Sequence, residues 1–182
     1  MSSKAEQLVQ RAMQLFYRQG FHATGVDQLS REAALTKKTL YRYFPTKEAL
    51  VQAALRWRHE ELMARIRAHV EAAAPAARPL AYLDFIALWV AEPDFCGCAF
   101  INAAAEYPAA AEAAHALAAE HKQALRDYLQ GLCEAAGLAQ PAHKAAALFL
   151  LGEGLTVAAQ VSGADAALLA LARRQAEALL QA

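Results

Sequence analysis

Cysteine, proline and glycine are all scarce in this chain, at 3, 6 and 8 of 182 residues, and each shortage removes a class of protein. Cys96, Cys98 and Cys133 are odd in number and form no disulfide-framework pattern, so a reduced, cytoplasmic compartment is the expectation. So few prolines and glycines beside 57% hydrophobic residues exclude a disordered chain and allow a substantial core. Long apolar runs are missing too. None of the purely apolar runs is longer than Ala145–Leu151, which stops at Gly152 and Glu153, far short of the ~20 residues of a membrane span. Met1 to Glu6 is polar and does not read as a signal peptide. β-Branched residues are rare while alanine and leucine dominate, which favours helix throughout. There is no strand pattern and no internal repeat. Net charge is also absent, 18 Lys and Arg balancing 18 Asp and Glu.

The zero balance hides an uneven distribution. Residues 1–70 hold 12 basic against 6 acidic side chains, a net +6, and residues 71–182 hold the reverse, −6. A basic N-terminal part on an acidic body gives a nucleic-acid footprint at one end only. Within it, residues 21–50, FHATGVDQLSREAALTKKTLYRYFPTKEAL, read as a short helix, a tight turn and a very short helix rich in Lys, Arg, Thr and Tyr. A core has no use for such a helix. The major groove of double-stranded DNA does, because it admits one helix whose side chains reach phosphates and base edges.

Helical periodicity and punctuation divide the chain into nine helices. The first spans about Ser3 to Gln19, with Leu8, Ala12, Leu15 and Phe16 on one face and Gly20 as its stop. A second, about Val26–Ala33, turns inward Val26, Leu29 and Ala33. Leu35 plugs the turn, Thr36 caps the third helix, and Leu40 and Phe44 anchor it. Pro45 ends it, and a long fourth helix begins near Thr46 and reaches about Ala73. The prolines of Ala74–Pro79 make the clearest break. Helix five covers about Leu80–Ala91, followed by a loop over Glu92–Gly97. Helix six covers Phe100–Tyr107, seven Ala109–Ala136, eight about Ala142–Val161 and nine about Asp165–Gln181.

The motifs LFYRQGFHATGVDQL and TLYRYFPTKEAL carry a resemblance. Residues 8–50 look like the N-terminal domain of the TetR family of bacterial transcriptional regulators, and CGCAFINAAAEYP resembles one branch of it more loosely. The resemblance implies an all-α fold: a three-helix helix-turn-helix domain over residues 1–48, joined by a long helix to a ligand-binding and dimerisation domain over residues 49–182. It implies a homodimer on a pseudo-palindromic DNA operator, with repression relieved by a small molecule and no cofactor. Carried over by position, Lys37, Lys38, Thr39 and Arg42 fall where relatives reach base edges, and Tyr41, Tyr43 and Lys47 where they contact phosphate. Thr24 either caps the second helix or meets a phosphate. The chain departs from the family twice: Ala34 stands where the turn usually has Gly, and Gly25 where Ser or Thr often begins the second helix.

Beyond residue 49 the candidates are fewer. Tyr82, Phe85 and Trp89 lie at i, i+3 and i+7, which suits a core stripe or the wall of a ligand cavity. Phe100 would extend that wall, with Asn102, Glu153 and Gln160 as the polar groups that orient a ligand. Almost no basic residue occurs over 79–121, so the expected effector is apolar or aromatic. Glu106, one turn from Asn102, reads by default as solvated. Glu153 interrupts the most apolar helix, so it contacts a cation, faces a partner subunit or lines the pocket. The His115–His121 spacing of six does not make a metal pair, and the Cys-x-Cys at Cys96–Cys98 lacks the further ligands of a closed zinc site. A thiol- or metal-responsive regulator on the same scaffold is the alternative. An enzyme is the reading of another class, but no nucleophile–base constellation or phosphate-cradling loop is present. Helices eight and nine, through Ala145–Leu151 and Leu168, Leu171 and Leu179, are the expected dimer seam.

Overall fold

The computed structural model describes residues 3–181; Met1, Ser2 and Ala182, the ends of the two expected domains, lie outside the described residues. The elements are α1 (Ser3–Gln19), α2 (Val26–Glu32), α3 (Lys37–Tyr43), α4 (Lys47–Glu71), a 3-10 turn (Pro75–Ala77), α5 (Arg78–Val90), α6 (Ala99–Glu106), α7 (Ala113–Ala135), α8 (Pro141–Ser162) and α9 (Ala166–Gln181). No strand is present among the described residues. Bounds differ from expectation chiefly at α7, which starts at Ala113 because Pro108–Glu112 forms turns, Glu112 accepting from the Ala109 N–H.

The fold divides into two compact units, the chain up to Glu61 with Ala99–His121, and Leu62–Cys98 with Lys122 onward. In the first, α1 buries Leu8, Val9, Ala12, Met13 and Phe16, a stripe at helical spacing. Gly20 ends it at φ +92, a left-handed conformation that glycine adopts without strain. The α2–α3 turn closes through Ala34 N to Arg31 O (3.1 Å) and Leu35 N to Ser30 O (2.9 Å). Ala34, which stands where the resemblance usually has Gly, takes a left-handed backbone conformation at φ 52, one that a glycine adopts more easily.

In the second unit, α5 packs on α8 and α9. Tyr82, Leu83, Phe85, Ile86, Trp89 and Val90 of α5 are buried, and small residues on the opposing helices, Gly152, Ala159, Ala172 and Ala176, leave room for them. A Cβ on Gly152 would stand 2.4 Å from the Tyr82 Oη, so α8 approaches α5 as closely as a glycine allows. Asp165 caps α9, its Oδ1 accepting from Ala167 N (2.8 Å) and Leu168 N (3.2 Å). Lys144, buried within α8, donates to the Leu180 carbonyl at 3.1 Å.

The absence of a pure apolar run understates α8. An 18-residue stretch of it reaches mean hydropathy 1.5, enough by length and composition to cross a bilayer. Yet Ala145, Leu148, Gly152, Leu155, Thr156 and Ala159 are buried within the fold, and the helix carries Lys144 and Glu153. That is the pattern of a core helix with one open face. The open face is apolar: Leu150, Val157 and Val161 are exposed, as are Leu168 and Leu171 of α9. A groove of about 320 Å³ runs between the two helices, lined by Leu150, Leu151, Leu155, Leu168, Leu171 and Ala172 among others.

Candidate nucleic-acid interface

The third helix owes its form to its ends. Thr36, in an extended conformation, accepts the Thr39 N–H through its hydroxyl (3.1 Å), satisfying one of the donors a helix start leaves open. Phe44 leaves the helix at φ −132, as the residue before a proline must. Between them Leu40 is the one buried side chain of the seven. One anchor facing inward leaves the rest of the helix outward.

Lys37, Lys38, Tyr41 and Arg42 are exposed, and Thr39, Tyr43 and Lys47 are half-buried. Lys37 is paired with Asp27 of α2, and Arg42 lies over the Tyr43 ring, 5.5 Å from its centroid. Both pairs are solvent-facing and break at little cost when a stronger anion arrives. The Thr39 and Thr36 hydroxyls are 2.9 Å apart. Lys47 sits in the first turn of α4, where Thr46 Oγ1 accepts the Ala49 N–H (3.1 Å). Its Nζ donates to the His22 carbonyl at 3.2 Å.

Thr24 departs from both of its expected roles. It is fully buried, and its hydroxyl donates to the Gly20 carbonyl at 2.7 Å, closing the α1–α2 link. The cap of α2 is Gly25, with no side-chain hydrogen bond. A hydroxyl committed inward is not the group a phosphate meets.

Glu106 also departs from expectation. Rather than being solvated, its carboxylate accepts the Phe21 N–H at 2.9 Å and the His22 N–H at 2.7 Å, with the His22 Nδ1 3.2 Å away. Partial burial pushes this carboxyl up, but the His22 and Phe21 amides and the His22 ring outweigh it and hold the group below its ordinary value. The residues involved are 84 and 85 positions apart in sequence, so no local spacing signals the contact.

The expected effector residues are divided. Phe100 and Asn102 fall in the first unit; Tyr82, Phe85, Trp89, Glu153 and Gln160 fall in the second. Phe100 is buried and stacks on the buried His121, ring centroids 3.7 Å apart, while His121 meets His59 with their Nδ1 atoms 3.0 Å apart. Phe85 and Trp89 are buried and stacked on each other at 6.3 Å. Glu153 takes the first of its three expected options, accepting from Lys122 Nζ at 2.7 Å; that same ammonium is 3.4 Å from the Cys98 Sγ. Close by, Tyr82 is fully buried and its hydroxyl makes no hydrogen bond among the described residues. Burial first, then Glu153 and Cys98, push its phenol far up. Gln160 lies against Gly97, leaving no room there for a Cβ. Lys122 was not legible as the partner of Glu153, since the two lie 31 positions apart.

Two helices joined by a tight turn, the second capped, anchored by one leucine and otherwise presenting cations and hydroxyls, define a helix-turn-helix protein. Residues 8–54 match the family described as bacterial regulatory proteins, tetR family. The HTH-type transcriptional regulator RutR of Escherichia coli is 35% identical over 83 residues, 46% of this chain and 39% of that protein. The uncharacterized HTH-type transcriptional regulator YuxN of Bacillus subtilis is 32% identical over 66 residues, 36% of this chain and 23% of that one. The matches thus span well under half the length of these curated relatives. A solved TetR-family transcriptional regulator from Streptomyces coelicolor superposes with a TM-score of 0.89 at 28% identity, covering 98% of this chain and 95% of that one. The N-terminal segment is thus similar to the tetR family of bacterial regulatory proteins, and the chain over nearly its full length is similar in fold to a solved TetR-family regulator.

Proposed function

We propose that the chain is a cytoplasmic transcriptional repressor that binds a pseudo-palindromic operator as a homodimer and is released by a small molecule. The observation that carries this reading is α3, with a single buried anchor and Lys37, Lys38, Tyr41 and Arg42 turned to solvent. Residues 1–48 serve as the reading domain and residues 49–182 as the ligand-binding and dimerisation domain. Lys37, Lys38, Thr39 and Arg42 read bases; Tyr41, Tyr43 and Lys47 hold phosphates. One short helix specifies few base pairs, so symmetry doubles the reading. The exposed apolar face of α8 and α9 is the surface that a second copy covers, forming a four-helix bundle across the two-fold axis.

Selection of bound sequences from random duplex DNA tests the reading. A palindromic motif with two half-sites about one helical turn apart is expected; recovery of no motif counts against it. A steep fall of affinity with salt is the second arm of the same experiment, because neutralised phosphates release counterions.

For the effector, the polar groups we assign are Tyr82 and the Glu153–Lys122 pair, with Gln160 beside them and Phe85 and Trp89 as apolar support. A hydroxyl buried without a partner is costly, and a ligand acceptor is what would satisfy it. Such a site favours a small aromatic or amphipathic compound. With Trp57→Phe as background, Trp89 fluorescence should change on binding; an unchanged spectrum across a ligand panel that does release DNA removes Trp89 from the site. The thiol-responsive alternative rests on the 3.4 Å approach of Lys122 Nζ to Cys98 Sγ, and loss of response in a Cys96→Ser/Cys98→Ser protein would select it. Cys133 has no part in it, because burial raises its thiol to about 11 and keeps it protonated. An enzyme would turn its ligand over; this regulator is expected to return it unchanged.

A further inference from the structure

We propose that Glu106 is a positioning residue for DNA binding, gripping the His22 peptide so that Lys47 is held where it meets phosphate. The proposal rests on the DNA-binding reading above. His22 is held at both ends of its peptide groups: its N–H donates to Glu106 Oε2 at 2.7 Å, and its carbonyl accepts from Lys47 Nζ at 3.2 Å. The Phe21 N–H donates to the other Glu106 oxygen at 2.9 Å. One carboxylate therefore uses both oxygens on consecutive amides, an arrangement that orients the two peptide groups leading into His22 rather than merely neutralising a charge.

The surroundings are built to keep this grip. The His22 ring lies tilted against Tyr107 with centroids 4.6 Å apart, and Phe21 meets the same ring edge-on at 6.1 Å. Tyr107 is itself buried, and its carbonyl lies 2.8 Å from His115 Nδ1 at the start of α7. Gly20 completes the cradle: a Cβ there would come within 3.1 Å of Glu106 Oε1, in a backbone conformation that side chains disfavour. A purely structural cap would leave Lys47 out of the network, whereas here the lysine closes it.

The consequence has a sign that separates it from simple electrostatics. Removing an acidic group from a protein that binds a polyanion should, by charge alone, strengthen binding. If Glu106 acts by placing Lys47, its removal weakens binding instead. Lys47 contributes as a phosphate contact, so the loss should be shared by all sequences.

The test measures affinity of the full chain by fluorescence anisotropy, across a salt series, on the selected operator and on an unrelated duplex. Wild type is compared with Glu106→Ala, Lys47→Ala and the double variant. Glu106→Ala should bind both duplexes roughly tenfold more weakly, as expected for a charged hydrogen bond of about 1.5 kcal/mol. Its salt slope should fall by about one, as for Lys47→Ala, and the double variant should be no weaker than the weaker single. Equal or tighter binding by Glu106→Ala, an unchanged salt slope, or additive losses would overturn the assignment. If Glu106→Ala loses helical content, Glu106→Gln carries the same comparison, since it keeps the shape and one acceptor but not the second. A wild type that binds no duplex overturns the DNA reading and the grip with it; a wild type that binds as tightly as its Glu106 variants overturns the grip alone.

Discussion

The α2–α3 segment and the α5–α8 pair spend their polar groups in opposite directions. In α3, one leucine is buried and the lysines, arginine and Tyr41 face water, held in place by a threonine cap. In α8, seven residues are buried and the charges turn inward, Lys144 to a backbone carbonyl and Glu153 to Lys122. Glycines follow the same division. Gly20 serves a turn with positive φ, while Gly152 serves helix-to-helix approach. A segment that must exchange partners keeps its cations on surfaces where an ion pair is weak. A body that must hold one shape pairs them where breaking the pair is expensive.

That contrast predicts where substitutions hurt. The largest effect is expected at the open apolar face of α8 and α9. Leu171→Glu puts a charge in the proposed dimer seam, and should halve the mass seen in sedimentation while leaving the circular dichroism helical. Operator affinity should then drop toward the non-specific range, a Kd of about 10⁻⁴–10⁻⁶ M at physiological salt. A variant that stays dimeric moves the seam elsewhere.

Within the reading segment, Arg42→Ala and Lys47→Ala should part company. The arginine variant should lose about 1–3 kcal/mol at particular base pairs, visible as a changed sequence logo. Its lysine counterpart should lose affinity for every duplex alike. Identical logos for the alanine variants of Lys37, Lys38 and Arg42 would remove base reading from this helix face.

In the body, Gly152→Ala should cost about 1–3 kcal/mol by overpacking, because the new methyl meets the Tyr82 ring and hydroxyl. Denaturant melts check it, and an unchanged midpoint would mean that α8 can shift away from α5. The Glu106 contact should show in pH. Its folded carboxyl lies below the unfolded value, so the stability it supplies is complete above the ordinary glutamate value, about 4.3, and is lost as pH falls through the folded value. Wild type should therefore melt higher than Glu106→Gln at neutral pH, with the gap closing in acid. A gap that widens in acid reverses the sign and the account. The smallest effect is expected at Ala34. Replacing it with glycine relieves a left-handed alanine at φ 52 but costs chain entropy, for a net gain of about 0.5–1 kcal/mol.

The same contrast explains what could be read without coordinates. The reading segment is written in local signals: a stop at Gly20, a cap at Thr36, a break at Pro45, an inward leucine and outward cations. The nine helices among the described residues follow from such signals, and the left-handed Ala34 from the glycine that the resemblance places in the turn. The partners of Glu106, Glu153 and Lys144 do not, because each lies 31 to 85 residues away. Thr24 misled for a related reason. A threonine before a helix looks like a cap, and only the packed Gly20 carbonyl shows which way its hydroxyl turns. The stripe of Tyr82, Phe85 and Trp89 is the same whether it fills a core or walls a cavity, so periodicity alone does not decide its use.

The ammonium of Lys144 sets a limit on how far the chain can be trimmed. It is buried, and the acceptor it reaches is the main-chain carbonyl of Leu180, two residues before the final alanine. Substituting side chains over Leu179–Gln181 leaves that acceptor in place, so the tail should tolerate changes of residue type there. Ending the chain at Leu179 removes it and strands a cation in the core, a loss that no apolar replacement at the tail can repair. The last turn of α9 is thus held by its backbone, and a protein shortened by three residues should unfold at lower temperature than one whose last three residues are all alanine.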